Sequence, residues 1–278
     1  YGDHRDLHKE YRRQRQMCIR DRDYWMSGHS KWSTIKRSKG VADAKRGQLF
    51  TKLSRDISIA VKQGGSPDPN MNYRLRIAVD KAKNSNMPSD TIDRALSKAS
   101  GNTGGQEAFE EITYEGYGPG GTAIMLETIT DNRNRTASEI RSVFTKSGGN
   151  LGESGCVSWN FESKGILIVD TNQENADDIA LIAIDAGAED VQIDTGFLEI
   201  LVRPDGLQEL RNKLEQQNIT ISSGDLSQLP TSTIALGPKE AEQTLRLLDN
   251  LEDILDVQRV YSNADFPDQI LDQYKTQG

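Results

Sequence analysis

The residues best suited to chemistry are cations, and they gather at one end of the chain. Lys31, Lys36, Arg37 and Lys39 surround Trp32 in a Gly- and Ser-rich stretch, 27–42, and Lys45, Lys52 and Arg55 follow within a helical pattern. Lysine and arginine side chains, with the backbone amides of such a loop, suit phosphate oxygens. Trp32 fits two roles: stacking on a nucleic-acid base, or anchoring the loop to a hydrophobic core. A second pair, Arg133 and Arg135 in DNRNRT (131–136), opens a later helix, where the macrodipole disfavours cations. A phosphate or acidic partner would explain them, and so would ordinary capping with local ion pairs.

Other chemistry has little to draw on. No GxxxxGK[ST] phosphate loop occurs; GPGG (118–121) reads as a hairpin turn and GGNLG (148–152) as a helix stop. The histidines are His4, His8 and His29, of which only His29 lies within the folding region, so Ser-His or Cys-His nucleophile systems lack a base. Cys18 and Cys156 form neither a disulfide framework nor a metal pair. Acidic neighbours such as Asp177-Asp178 and Glu189-Asp190 read as solvated helix ends. The expectation is a protein with no catalytic residues, no metal and no cofactor.

The charge distribution sharpens this. The net charge of −8 conceals two opposed regions: residues 26–105 carry 15 Lys/Arg against 6 Asp/Glu, and 106–278 carry 12 against 31. Such asymmetry points to a polyanion at the basic end only, because the acidic body repels nucleic acid. No run of apolar residues is long enough for a membrane span, and the cysteine usage fits the cytoplasm.

The elements that must position these residues follow from periodicity. Residues 1–25 lack apolar order and read as foreign or disordered sequence ahead of Met26, the alternative being a real basic arm. Residues 26–105 form a basic three-helix domain. Its first helix, 43–63, has Leu49, Phe50, Leu53, Ile57, Ala60 and Val61 in one stripe. Lys45, Lys52, Arg55 and Lys62 fall on the opposite side, as a phosphate-binding or simply solvated face. Helices at 69–84 and from an N-cap at Ser89 follow. The remainder is an acidic α+β body. A hairpin (111–130), a helix to Lys146, a strand at CVSWNF (156–161), and elements at 232–236, 238–253 and 257–263 form a discontinuous middle domain, 106–163 and 230–266. Residues 164–229 read βαββαβ, a ferredoxin-like domain inserted in it. Residues 267–278 form a tail.

The stretches 28–57, 72–95, 114–121 (YEGYGPGG), 130–136 (TDNRNRT), 148–161 (GGNLGESGCVSWNF) and 255–263 (LDVQRVYSN) resemble the YebC/PmpR family. That family includes the mitochondrial translational activator of cytochrome c oxidase subunit one. The resemblance spans Met26 to Phe266. It implies an N-terminal helical domain and two α+β domains, and a DNA-binding transcriptional regulator. Other members resemble translation factors, so the alternative is a ribosome-associated protein on ribosomal or transfer RNA. A basic loop with one aromatic suits irregular RNA somewhat better than a major groove. The matching basic positions are Lys31, Lys36, Arg37, Lys39, Lys45, Arg46, Lys52, Arg55, Arg133 and Arg135. The acidic body is a candidate surface for a protein partner.

Overall fold

The computed structural model describes residues 43–101, 109–171, 175–194 and 196–276. Among them the chain divides into two compact units, Ser163–Gln228 and the sequence on either side of it.

The flanking unit begins with three helices. Helix α1 (Asp43–Gly64) buries Leu53, Ile57, Ala60 and Val61 against α2 (Tyr73–Asn84) and α3 (Ser89–Ala99), which contribute Leu75, Val79, Ala82 and Ile92. The second helix starts later than periodicity suggests because Asn72 caps it, accepting a hydrogen bond from Leu75 N at 3.0 Å. Ser89 opens the third helix instead of capping it; Pro88 holds the cap position.

Asn72 is buried, and its Nδ2 donates to Ala60 O at 2.8 Å and to Ser66 O at 2.9 Å. It occupies the space where a Cβ on Gly64 would stand, so the glycine is required by close approach. Asn72→Ala removes a cap and orphans two carbonyls. It is expected to cost about 2 kcal/mol in urea unfolding; a loss below about 0.5 kcal/mol would contradict this.

Strands β1 (Glu110–Tyr117) and β2 (Ala123–Thr130) form an antiparallel hairpin, Glu110 opposite Thr130 and Tyr117 opposite Ala123. Its turn places Gly120 and Gly121 at φ 70° and 78°. Helix α4 (Arg133–Lys146) and the short β3 (Asn150–Leu151) follow. After the inserted unit come β8 (Ile234–Ala235), α7 (Pro238–Glu252), β9 (Val257–Ser262), β10 (Ala264–Asp265) and α8 (Asp268–Thr276). The main sheet runs β3-β1-β2-β9.

Central β2 is covered on both faces. Ile124 and Leu126 join Ile140 and Phe144 of α4 and Leu245 and Leu248 of α7, while Ala123 and Met125 meet Val157 and Tyr261. That alternation is the two-residue period of a strand.

One expectation is corrected. CVSWNF is not a strand: Ser158–Asn160 is a 3₁₀ turn, with Val157 fully buried and Trp159 71% exposed. The physical reason is Glu115, whose carboxylate draws in the Gly155, Val157 and Ser158 amides at 2.8, 2.7 and 2.8 Å. The tail contains α8, with Ile270 and Leu271 buried and Tyr274 donating to Asp249.

The inserted unit comprises β4 (Phe161–Asp170), α5 (Ala176–Ala186), β5 (Asp190–Asp194), β6 (Phe197–Val202), α6 (Leu207–Gln216) and β7 (Ser223–Pro230). Its sheet order is β5-β6-β4-β7, with β4–β6 and β5–β6 antiparallel. This is the ferredoxin-like βαββαβ arrangement. Leu167, Val169, Leu198 and Ile200 face Ala180 and Ala183 of α5 and Leu210 and Leu214 of α6. The protein is therefore α+β.

Candidate nucleic-acid interface

Lys31, Trp32, Lys36, Arg37 and Lys39 lie outside the described residues. Lys45 belongs to the first turn of α1, though its side chain is likewise outside the description, and Arg46 beside it is exposed. Further along α1 the basic side is not a solvated face. Lys52 Nζ donates to Glu252 O, the last carbonyl of α7, at 2.5 Å. Arg55 is only 12% exposed at its side chain, and NH1 donates to Asp256 Oδ1 at 2.6 Å and Leu255 O at 2.9 Å. Its guanidinium lies 5.4 Å from the Phe109 ring centroid, a cation–π contact.

The polarity of a helix C-terminus explains the choice: carbonyls left without intrahelical partners attract cations. Lys52 and Arg55 thus meet the end of α7 and the start of β9 rather than open solvent. Helical periodicity separates apolar from charged sides, but it cannot say that the charged side has an acidic neighbour 201 residues away.

Asp256 is the centre of this arrangement. It follows α7 and immediately precedes β9, where the β2–β9 register shifts between Glu127 and Thr128. Its side chain is 4% exposed. Besides Arg55 it meets the Thr136 hydroxyl at 2.6 Å, Arg135 NH2 at 2.9 Å and the Thr130 hydroxyl at 3.2 Å. Burial alone would raise its pKa. The hydrogen bonds from Thr136, Arg135 and Arg55 outweigh that and hold the carboxyl below the usual range. One ionised carboxylate therefore joins α1, β2 and α4.

The DNRNRT pair divides. Arg135 is held by Asp131 at 2.7 Å as well as by Asp256, which raises its already high pKa further. Asn132 caps α4, accepting from Arg135 N at 3.1 Å. Arg133 is exposed, and its side chain makes no hydrogen bond or ion pair among the described residues; only its carbonyl accepts, from the Tyr114 hydroxyl at 3.1 Å. Capping and local ion pairs explain Arg135, whereas Arg133 is left facing solvent.

Elsewhere on the bundle several cations also hold structure. Arg74 pairs with Glu111 at 2.7 Å, Lys62 donates to Phe109 O at 3.1 Å, and Arg76 donates to Pro69 O and Asn70 O at 3.1 and 3.0 Å. Lys83 is exposed and makes no side-chain hydrogen bond or ion pair among the described residues.

Two outward cations of α4, Arg141 and Lys146, were not singled out by spacing. Helical phase relative to Ile140 and Phe144 was the available signal.

Cys156 is half-buried, and burial with the nearby Glu115 carboxylate pushes its thiol pKa up, away from nucleophilic use. No group of three His, Cys, Asp or Glu placed to hold a metal occurs among the described residues. No described helix is long and apolar enough to cross a membrane.

Comparison with known proteins agrees with this architecture. The family model for the TACO1/YebC protein N-terminal domain matches residues 30–102, and that for the TACO1/YebC second and third domain matches residues 109–264. A probable transcriptional regulatory protein of Dehalococcoides mccartyi is 52% identical over 252 residues, covering 91% of this chain and 100% of that protein. Another from Thermomicrobium roseum is 49% identical over 245 residues, covering 88% and 98%. The crystal structure of a conserved hypothetical protein from Aquifex aeolicus aligns with a TM-score of 0.74 at 44% identity, covering 81% of this chain and 92% of that one. On both domain matches and full-length similarity, this chain belongs to the TACO1/YebC family.

Proposed function

We propose that this chain is a non-enzymatic, DNA-binding transcriptional regulator acting in the cytoplasm. The observation that carries this reading is the segregation of charge: 15 Lys/Arg against 6 Asp/Glu in residues 26–105, followed by 12 against 31 in residues 106–278. A surface of one sign directs a polyanion to one end of the molecule, and the acidic remainder repels it from elsewhere. The relatives' name, probable transcriptional regulatory protein, supports transcription as the process served. In this reading Lys31, Lys36, Arg37, Lys39, Lys45 and Arg46 contact phosphates, with Trp32 beside them. Arg55 and Arg135 serve by holding the bundle and α4 together.

The test is the salt dependence of binding to a fluorescent DNA duplex. Lys31→Ala, Lys36→Ala and Lys39→Ala combined are expected to lower the log–log slope by about 0.9 per lost phosphate contact. An unchanged slope would contradict the assignment of this stretch as the contact.

One observation favours a second reading, a translation factor on ribosomal or transfer RNA. The core side of α1 is buried and its basic side meets the end of α7. The outer face of α3 mixes Asp90 and Asp93 with Arg94 and Lys98. Neither of these helices resembles a recognition helix for a major groove, and irregular RNA does not demand one.

A further inference from the structure

The helix that follows the hairpin carries charge of the wrong sign for its surroundings. Helix α4 contains four Lys/Arg and one Glu. By contrast α5 holds Asp177, Asp178 and Asp185 with no cation, and α7 holds four acids against Lys239 and Arg246. Among the described helices after residue 109, α4 alone is net positive.

The cations of the inserted unit are engaged by carboxylates of that unit. Lys164 pairs with Glu189 at 2.8 Å, Arg211 with Glu215 at 3.0 Å and Lys213 with Glu209 at 2.7 Å. Arg133, Arg141 and Lys146 are exposed and make no side-chain hydrogen bond or ion pair among the described residues.

The helix phase arranges them. Thr136, Ile140 and Phe144 form the buried stripe. At about 100° per residue, Arg141 falls on one flank of the outer face and Lys146 on the other, with Ser138 and Ser142 between them. Arg133, seven residues before Ile140, shares the phase of the buried stripe and stands apart from this face at the N-terminal end of the helix. Glu139 is the one acid on the helix, and Asp131, just ahead of it, is occupied by Arg135. A face of separated cations with hydroxyls between them matches a sugar–phosphate backbone, which takes charged contacts from Arg and Lys and neutral ones from Ser and Asn.

Asp256 supplies continuity. It binds Arg55 of α1 and Arg135 of α4 through its two oxygens, so α4 begins beside the basic bundle rather than across the acidic body from it.

We infer that the outer face of α4 is a second phosphate-contact surface for the same DNA duplex, made by Arg141 and Lys146 with Ser138 and Ser142. The inference rests on the DNA-binding reading and extends the contact beyond the N-terminal region. Arg141 acts as a charge here, so lysine serves in its place.

The experiment compares the full chain with Arg141→Ala/Lys146→Ala and with Arg141→Lys, titrating salt against a fluorescent DNA duplex. The alanine variant is expected to lose about 1.8 of the log–log slope, from two contacts at about 0.9 each. The lysine variant is expected to keep the parental slope, which separates lost charge from damaged folding. An alanine variant with the parental slope would overturn the inference while leaving DNA binding intact. A slope that falls on structured RNA but not on duplex DNA would overturn the choice of partner. A parent without salt-dependent duplex binding would overturn the DNA-binding reading itself, and this inference with it.

Discussion

Asp256→Ala is expected to cost about 3–5 kcal/mol of folding stability, the range for breaking a buried ion pair by removing one partner. The side chain is 4% exposed and receives Arg55 NH1 at 2.6 Å, Arg135 NH2 at 2.9 Å and the Thr136 hydroxyl at 2.6 Å. Alanine leaves Arg55, itself largely buried, with backbone carbonyls and the Phe109 ring but no carboxylate to neutralise it. Arg135 is half-exposed and keeps Asp131, so its share of the loss is small. The damage should therefore concentrate where α1 meets the sheet.

Urea unfolding gives the total, and amide hydrogen exchange gives its location. Protection in α1 is expected to fall more than protection in β2. Asp256→Asn keeps the shape and some hydrogen bonding, so it should fall between alanine and the parent. A loss under about 1 kcal/mol for alanine would mean that Asp256 does not join these elements.

Glu115→Ala is the second large effect, expected at about 3 kcal/mol. The carboxylate accepts from the Gly155, Val157 and Ser158 amides at 2.8, 2.7 and 2.8 Å, and the residue is 4% exposed. Each orphaned buried donor costs about 1–3 kcal/mol, with partial rescue by water on the loop's outer side. The same loop carries Trp159, whose indole donates to Cys156 O at 2.9 Å, so freeing the loop should also make Trp159 more accessible to quenchers. Unchanged stability in Glu115→Ala would show that the 3₁₀ turn holds itself.

These two carboxylates set the acid response. Burial raises the Glu115 pKa, but the three amides more than offset it, and the folded value lies below the ordinary one; Asp256 behaves alike. A folded pKa below the unfolded one contributes stability that is present above the unfolded value. That stability is lost as pH falls through the folded one. With unfolded values near 4.3 and 3.9, the loss should begin below about pH 5 and continue downward. Asp256→Asn should flatten that slope, and a variant with the parental pH profile would contradict the assignment.

Much of the fold was legible because its periodicities are local. The three N-terminal helices, the β1–β2 hairpin and the βαββαβ order all follow from stripes and alternation such as Leu53-Ile57-Ala60 and Ile124-Leu126. What escaped was set by distant partners. Val157 and Trp159 alternate like a strand, yet Glu115, 42 residues upstream of Val157, bends the segment into a turn. Arg55 looks like a surface cation until Asp256, 201 residues away, is seen beside it. Ile270, Leu271 and Tyr274 are spaced as one helical face in the segment read simply as a tail. At the interface, the sequence marks cations but not which of them are already engaged. Arg133 and Arg135 sit two residues apart and have opposite fates.

The most direct test of DNA-directed regulation is crosslinking of the full chain in cells, with sequencing of all retained DNA and RNA together. Discrete promoter DNA with little RNA, lost when Lys31, Lys36 and Lys39 are replaced by Ala, is the predicted result. Enriched ribosomal or transfer RNA without discrete DNA sites would contradict it and make the basic end an RNA grip.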